Sequence, residues 1–280
     1  MPNTSARCGG FALLIVLWTL VLIAFVVAQV TAAGRTEIRI AGNLAANAAA
    51  QTAADGAVYE AIFHLLDPRP EQRWTLDGRA HTLQIGQSLI TLRLEDESGR
   101  INPNLASGAL LDGLLRAAGD EPEKAAMLAR AITQWVGSAA GTHTSAELLA
   151  EYHDSGLDYA PPGSPLESID ELERVHGMTA ELLSALRPHL TLYGPGEPNP
   201  VSADPVVAAA IVLAGGTSSG LASGALVITP NTVPDKIVAR IRVTAKGPGN
   251  AQLSRTAIAR IAPSATPGYA LLAWEANDIE

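Results

Sequence analysis

The hydrophobic pattern of the chain begins with an unbroken apolar run and then changes to helical and alternating spacing. Residues 11–30 read FALLIVLWTLVLIAFVVAQV, with no charge and with only Thr19 and Gln29 as polar side chains. About twenty such residues match the hydrocarbon core of a bilayer when they are helical. A buried core helix of this length would normally show a polar face, so the run predicts a membrane-spanning helix.

The helical signal continues beyond the apolar run. Ile40, Leu44 and Ala48 recur every fourth residue, and a second stretch of the same spacing ends near Leu66. Two prolines, at 68 and 70, then stop the pattern. We predict one helix over residues 11–66, about 80 Å long at 1.5 Å per residue. The alternative is an ordinary membrane anchor followed by a separate helix.

Strand signals lie on both sides of a central helical region. Asp77-Gly78 is a short hairpin cue between two apolar stretches, residues 74–76 and 80–83. Further strands are predicted over residues 89–95, 237–244, 251–261 and 269–274, with a turn at 247–250. The pattern therefore predicts one sheet that is interrupted by an insertion.

The central region has helical apolar spacing. It predicts helices over residues 105–118, 121–136, 168–175, 179–186 and 202–213. Ser202 is expected to cap the last of them. A weak internal repeat places an Asn-Pro pair at 102–103 and again at 199–200, each ahead of a helix.

Composition narrows the classes of function. Hydrophobic residues make up 48% of the chain, so it can bury a core and is not expected to be disordered. The net charge is −9, whereas proteins that bind nucleic acids usually carry a positively charged surface. The only cysteine is Cys8, which permits no intrachain disulfide.

Three interpretations of the N-terminus compete. A cleaved secretory signal has an apolar region of about 7–15 residues and a small-residue cleavage site, which residues 26–28 match poorly. A lipoprotein signal at Cys8 needs the apolar stretch before the cysteine, but here it follows. A short polar leader, residues 1–10, carries Arg7 on the expected cytoplasmic side and ends in two glycines before Phe11.

This third pattern resembles the class III signal of type IV pilins and pseudopilins. The resemblance implies that a prepilin peptidase cuts after Gly10 and methylates the new N-terminal residue, Phe11. Most of these subunits carry Glu at the fifth mature position, where this chain has Ile15, and no acid occurs over residues 11–30. In lacking this acid, the chain resembles the protein K family of the type II secretion system. Alternatively, Ile15 is one more apolar residue of an ordinary anchor.

The missing acid has a direct physical interpretation. In the pilin family, this glutamate is understood to pair with the N-terminal amine of a neighbouring subunit. An unpaired charge in apolar surroundings is costly. A subunit with no neighbour above it has no amine to neutralise, so the resemblance implies a position at the tip of the fibre.

The insertion carries a second resemblance to the protein K family. Residues 96–104, DESGRINPN, are similar to the opening of that family's helical insertion, and residues 166–191 contain segments similar to its second signature. The resemblance implies an α+β fold: a long transmembrane helix and a pseudopilin-type antiparallel sheet interrupted by an all-α insertion of the SAM-like, helix-hairpin-helix kind. The implied divisions are a leader at 1–10, a helix at 11–66, sheet parts at 67–101 and 223–280, and an insertion at 102–222.

The resemblance also implies a location and partners. The chain would be a single-pass protein of the bacterial inner membrane, with a cytoplasmic N-terminus and a periplasmic body. Its partners would be the minor pseudopilins I and J, other pseudopilins and the prepilin peptidase. It would cap the pseudopilus tip and prime assembly for protein export across the outer membrane, without enzymatic activity. A minor pilin of a type IV pilus is the alternative.

Two further motifs suggest chemistry that their context disfavours. Residues 216–220, GTSSG, match the nucleophile elbow around Ser218, but a helix and not a strand is predicted before them. A signal-anchored periplasmic hydrolase is the corresponding alternative. Residues 175–179 resemble a helix-hairpin-helix, but Thr179 stands where the DNA-binding form has glycine. We therefore expect a packing unit and no nucleic acid, with an anchored DNA-uptake protein as the alternative.

The sequence shows no clear metal-binding motif. The six histidines have no metal-ligand spacing; they are His64, His81, His143, His153, His176 and His189. The protein K family has an acidic stretch near the position of Trp135, but here residues 136–140 read VGSAA. Calcium prefers several carboxylate ligands, and Asp154 and Asp158 alone are not assigned to it. We expect no cofactor, because the absence of these acids argues against a calcium site.

Overall fold

The computed structural model describes residues 9–69, 71–137, 145–154, 156–215 and 237–277. The helices are α1 Gly9–Leu65, α2 Gly108–Ala117, α3 Pro122–Trp135, α4 Ser145–Asp154, α5 Ala180–Leu186 and α6 Pro205–Leu213. The strands are β1 Asp77–Ile85, β2 Ser88–Asp96, β3 Ile237–Lys246, β4 Gln252–Ile261 and β5 Tyr269–Asn277. Short 3-10 turns lie at Glu97–Gly99, Ile169–Arg174, Arg187–His189 and Pro248–Asn250.

The five strands form one antiparallel sheet in the order β1-β2-β3-β4-β5. Strands β2 and β3 are neighbours in this sheet, with Asp96 opposite Ala239, although the whole helical insertion lies between them in sequence. The insertion therefore leaves the sheet and returns to it at the same end of one strand pair. The predicted α+β fold, with a long helix and an interrupted antiparallel sheet, is confirmed.

One face of the sheet packs against the C-terminal part of α1. Ile90, Leu92 and Leu94 of β2 are fully buried, which confirms the alternation predicted for this strand. The helix meets them through small side chains, among them Ala54 and Ala57. Small residues let the helix backbone approach the sheet closely, and burial of the apolar area stabilises the contact by roughly 25 cal/mol per Å².

The insertion has its own apolar core, built mainly from α2, α3, α5 and α6. Helices α2 and α6 lie against each other, and a side chain at Gly113 would overlap the carbonyl group of Ala210. Glycine at this position therefore permits the close contact. These two helices follow the two Asn-Pro pairs that the sequence shows as a weak repeat.

The predicted hairpin at Asp77-Gly78 is wrong. Residues 74–76 form no strand, and the chain turns instead at residues 86–87, between β1 and β2. Asp77 accepts a hydrogen bond from the Arg79 amide, and the register shifts between Asp77 and Ala80. The Trp74 ring stacks instead between those of His64 and His81.

The helices of the insertion differ from prediction at their ends. Asp204, not Ser202, caps α6, because its carboxylate accepts hydrogen bonds from the amides of Val206 and Val207. The Ser202 hydroxyl donates to Asp96 instead. The helix predicted over 168–175 is a shorter 3-10 turn with a capping box. Helix α4 was not predicted.

Candidate assembly site

The first part of α1, residues 11–30, is called here the apolar segment, and it has no partner surface among the described residues. Its large side chains, from Phe11 to Val30, are between 49% and 75% exposed. Helix α1 is long and apolar enough to cross a membrane. An exposed apolar surface of this length is stable only in lipid or against other apolar helices.

Two threonine hydroxyls, one in the apolar segment and one just beyond it, are hydrogen-bonded within the helix. The Thr19 hydroxyl donates to the carbonyl oxygen of Ile15 at 2.6 Å, and the Thr31 hydroxyl donates to that of Val27 at 2.8 Å. Such internal bonds lower the cost of placing hydroxyls in lipid. Ile15 itself is half exposed on the helix surface, in line with its apolar neighbours.

The predicted processing site lies at the start of α1. Gly10 and Phe11 are in its first turns, and Phe11 is 72% exposed. Residues 1–8 of the predicted leader, with Cys8, lie outside the described residues. Cleavage after Gly10 and methylation of Phe11 therefore stay predictions.

The rest of α1 divides into an exposed middle segment, residues 34–49, and a packed segment, residues 50–65. None of the middle segment is buried, whereas Ala50 is 1% exposed and begins the contact with the sheet. Arg35, Glu37 and Arg39 follow the apolar segment directly. Charges at this position are typical of a helix that leaves the membrane for water.

One end of the sheet lies nearer to the apolar segment than the other. At the β3–β4 turn, a side chain on Gly247 would lie 3.1 Å from the Cβ of Ala50, at the start of the packed segment. At the β4–β5 turn, Gly268 lies beside Leu66, just past the end of α1. Strand β3 begins at Ile237 and has ten residues, about 33 Å. The insertion therefore joins the end of the sheet that points away from the apolar segment.

Two asparagines fasten the insertion where it leaves the sheet. The Asn102 side-chain amide donates to the carbonyl oxygens of Leu192 and Gly194, at 3.2 and 2.9 Å. Asn104 makes two bonds with the backbone of Leu166, donating at 3.0 Å and accepting at 2.7 Å. These contacts give a physical reason for the Ile-Asn-x-Asn sequence, because each amide joins segments that are distant in the chain.

A charged pair lies beside these asparagines. The Glu97 carboxylate is fully buried and accepts hydrogen bonds from Arg240 Nε at 2.7 Å and Nη2 at 2.5 Å. Burial acts to raise the pKa of Glu97, but the Arg240 hydrogen bonds and charge, with a bond from Thr191, outweigh it and the pKa is lowered. Glu97 therefore remains charged at neutral pH.

A second layer of charge surrounds this pair. Glu95 lies 3.2 Å from Arg100 and 2.9 Å from Arg242. Burial, together with the positive charge of Arg240, lowers the pKa of Arg100. The junction between sheet and insertion is therefore a network of alternating charges.

Residues 89–196 match the family model described as type II secretion system (T2SS), protein K. Over this segment, the chain is similar to the protein K family of the type II secretion system. The matched segment begins in β2 and includes Glu97, both asparagines and most of the insertion. The match supports the sequence-based prediction of a minor pseudopilin of the type II secretion system.

A solved structure has the same fold. A chain of the GspK-GspI-GspJ complex from the enterotoxigenic Escherichia coli type 2 secretion system aligns with a TM-score of 0.54 and 17% sequence identity. The alignment covers 88% of this chain and 99% of that chain. No curated protein matches the sequence.

The helix-hairpin-helix segment, residues 175–179, is packed within the insertion. Val175 is buried. A Cβ atom placed on Gly177 would lie 3.8 Å from the Leu128 side chain. The His176 amide donates to the Tyr152 hydroxyl at 3.3 Å, and Thr179 caps α5. These contacts place the segment inside the packed insertion.

The other candidate sites are only partly described. Ser218 and His143 lie outside the described residues. Over the described ranges, no group of three or more His, Cys, Asp or Glu side chains is arranged to hold a metal ion. Trp135 is buried beside Tyr152 and Tyr159, at ring distances of 6.5 and 6.2 Å. Aromatic packing thus surrounds Trp135 in the region where the family's acidic stretch is expected.

Sequence reasoning missed the Glu97–Arg240 pair. The two residues are 143 positions apart, and each lies in a segment whose local pattern is already explained by a turn or a strand. A usable signal is that Glu97 directly follows a strand whose apolar residues alternate. The burial of Glu97 depends, however, on the α5–α6 loop and on β3, which come much later in the chain.

Proposed function

We propose that this subunit caps the tip of the pseudopilus and primes its assembly. The observation that carries the proposal is the position of the insertion. It joins the sheet through Asp96 and Ile237, at the end pointing away from the apolar segment of α1. A fibre built by packing such helices grows along their direction. A bulky domain at the far end leaves little room for a further subunit above it.

The apolar segment supplies the second support. Its exposed side chains fit the inner membrane and, after extraction, the helices of neighbouring pseudopilins. With Ile15 at the fifth mature position, the segment offers no carboxylate to the amine of a subunit above. In the proposed arrangement the N-terminus is cytoplasmic and the sheet and insertion are periplasmic.

The partners follow from the similar complex. That complex contains GspK, GspI and GspJ, and we propose that the present chain binds the corresponding minor pseudopilins I and J. The subunit acts by binding and shape, with no chemical step of its own. Processing by a prepilin peptidase after Gly10 would release a chain that begins with methylated Phe11.

Processing is tested by the N-terminal mass of the chain after co-expression with a cognate prepilin peptidase. A chain that starts at N-methylated Phe11 is the expected product. An intact Met1, or cleavage near Ala28, would contradict the pilin-like processing. A Gly10→Val variant should keep its leader, which serves as the matched control.

The tip position is tested by adding a carboxylate at the fifth mature position. Ile15→Glu is compared with Val16→Glu, its exposed neighbour on the same helix. At a tip, neither carboxylate meets an amine from above, so both variants should lose membrane retention and secretion to a similar degree. If Ile15→Glu keeps both activities while Val16→Glu loses them, a subunit lies above and the tip position is wrong.

A further inference from the structure

The described residues form two apolar cores that share no side chain. The sheet core contains the packed segment of α1 and the inner face of the sheet. The insertion core contains α2, α3, α5, α6 and the loops that cover them. The hydrophobic effect therefore stabilises each unit internally but does not fix one unit against the other, because no common apolar cluster joins them.

The junction between the units is polar and directional. The turn Glu97–Gly99 follows β2 directly, and the loop between α5 and α6 passes it at Thr191 and Gly194. The Asn199 amide donates to the Ser98 carbonyl oxygen at 2.8 Å. Gly99 lies so close to the Ser202 carbonyl that a Cβ there would overlap it. The turn that leaves the sheet and the α5–α6 loop of the insertion are thus held together at one point.

Glu97 and Arg240 link this point to the sheet. Glu97 belongs to the turn and Arg240 to β3, and two parallel N–H···O bonds join them. A bidentate guanidinium–carboxylate pair fixes both distance and angle, which a single point charge does not do. Glu97 is fully buried, while Arg240 is 20% exposed at its side chain.

Such a pair is a poor source of net stability. The desolvation of two charges offsets much of their attraction, and apolar replacements of similar volume are often as stable as the pair. Removal of one partner is costly, however, because the other charge remains buried and unpaired. What the pair adds, beyond stability, is a single allowed geometry.

We infer that the Glu97–Arg240 pair sets the orientation of the helical insertion on the sheet. The two residues are positioning residues: they hold the insertion at one angle, and the two apolar cores provide most of the stability. This inference depends only on the junction and does not require the subunit to lie at the tip.

The test measures orientation and stability separately in the full chain in detergent. Spin labels are placed at Leu89→Cys in β2 and Met127→Cys in α3, both exposed positions, with Cys8→Ser to remove the native thiol. Pulsed electron resonance gives the distribution of distances between the labels, and circular dichroism gives the unfolding temperature. The variants are Glu97→Gln, Arg240→Lys and the apolar pair Glu97→Leu/Arg240→Met.

The expected results differ between the two measurements. Glu97→Gln should lower the unfolding temperature by roughly 10 °C and broaden the distance distribution. Arg240→Lys keeps the charge but loses the bidentate geometry, so it should also broaden the distribution. The apolar double variant should unfold near the original temperature and still show the broad distribution.

The exposed pair Glu121–Lys124, at 3.5 Å, provides the matched control. Glu121→Gln should change neither measurement, since exposed ion pairs contribute little. A narrow, unchanged distribution in Glu97→Gln and Arg240→Lys would overturn the inference, as would a narrow distribution in a folded double variant. If the double variant does not fold, the two single variants decide the result.

Discussion

The apolar segment and the packed segment of α1 belong to one continuous helix but have opposite surroundings. Between Phe11 and Val30 the exposed side chains are mostly large and apolar. From Ala50 onward the buried face is mostly alanine, with Val58, Ile62 and Leu65 among the exceptions. Both segments are hydrophobic, so hydrophobicity alone does not explain the difference.

The difference lies in side-chain size. A sheet is a continuous surface, and alanine lets the helix axis approach it closely enough for both faces to be fully buried. Lipid is fluid and fills the gaps between bulky side chains, so the apolar segment needs no such restriction. One helix can therefore carry two kinds of apolar surface, one that packs against its own sheet and one that is left for lipid or partner helices.

The largest expected effect comes from a charge in the packed segment. Ala57 is fully buried against the sheet, so Ala57→Asp would bury an unpaired carboxylate there. We expect a loss of at least about 4 kcal/mol in the free energy of unfolding, measured by urea denaturation. Ala41→Asp in the exposed middle segment should change it by less than about 0.5 kcal/mol. Equal effects would contradict the division of the helix.

A charge in the apolar segment should act on the membrane and not on the fold. We expect Val21→Asp to weaken membrane insertion by about 3 kcal/mol, seen as a larger share of protein released by alkaline extraction. Val21→Leu should behave like the unmodified chain. The urea unfolding of the sheet should be unchanged in both, and a marked loss of stability would show that the apolar segment packs on the domain.

Asp67, just after the packed segment, predicts that the stability of the fold falls in acid. Hydrogen bonds from the Arg69 side chain and amide lower the pKa of Asp67 to about 2, and the Arg73 guanidinium donates to the Asp67 carbonyl oxygen. Because the folded pKa is lowered, this stabilisation is present above about pH 4 and is lost as the pH falls toward 2. Asp67→Asn should flatten that part of the stability curve, measured by unfolding between pH 5 and pH 2.

The exposed residue Glu71 provides the control for this experiment. Glu71→Gln should leave the acid limb of the stability curve in place. A limb that persists unchanged in Asp67→Asn would mean that another carboxylate is responsible.

Periodicity predicted the elements whose structure depends on near neighbours. The long helix and the alternation in residues 89–95 and 237–244 follow from spacings within each segment. The small, alanine-rich face of the packed segment is also visible in the sequence. Strand patterns on both sides of the central helical region also predicted one sheet interrupted by an insertion, which the structure confirms.

Features that depend on distant residues could not be predicted. The Asp77-Gly78 cue is a strong local hairpin signal, but Trp74 is fixed between His64 and His81, and the turn moves to residues 86–87. Ser202 has the chemistry of a helix cap, but Asp96, 106 positions earlier, takes its hydroxyl. At Ser202 a long-range contact thus overrides a local preference.

The smallest expected effect concerns the exposed middle segment. A side chain at Gly42 would have no atom within 4 Å outside the helix itself, so alanine fits there without strain. Gly42→Ala should stabilise this part of α1 by about 0.5–1 kcal/mol, because glycine loses more backbone freedom on forming a helix. Slower amide hydrogen exchange over residues 38–46 would show it. Gly113→Ala, which meets the Ala210 carbonyl, should instead destabilise the insertion. A Gly42→Ala variant with unchanged or faster exchange would mean that another contact, and not helix propensity, controls this segment.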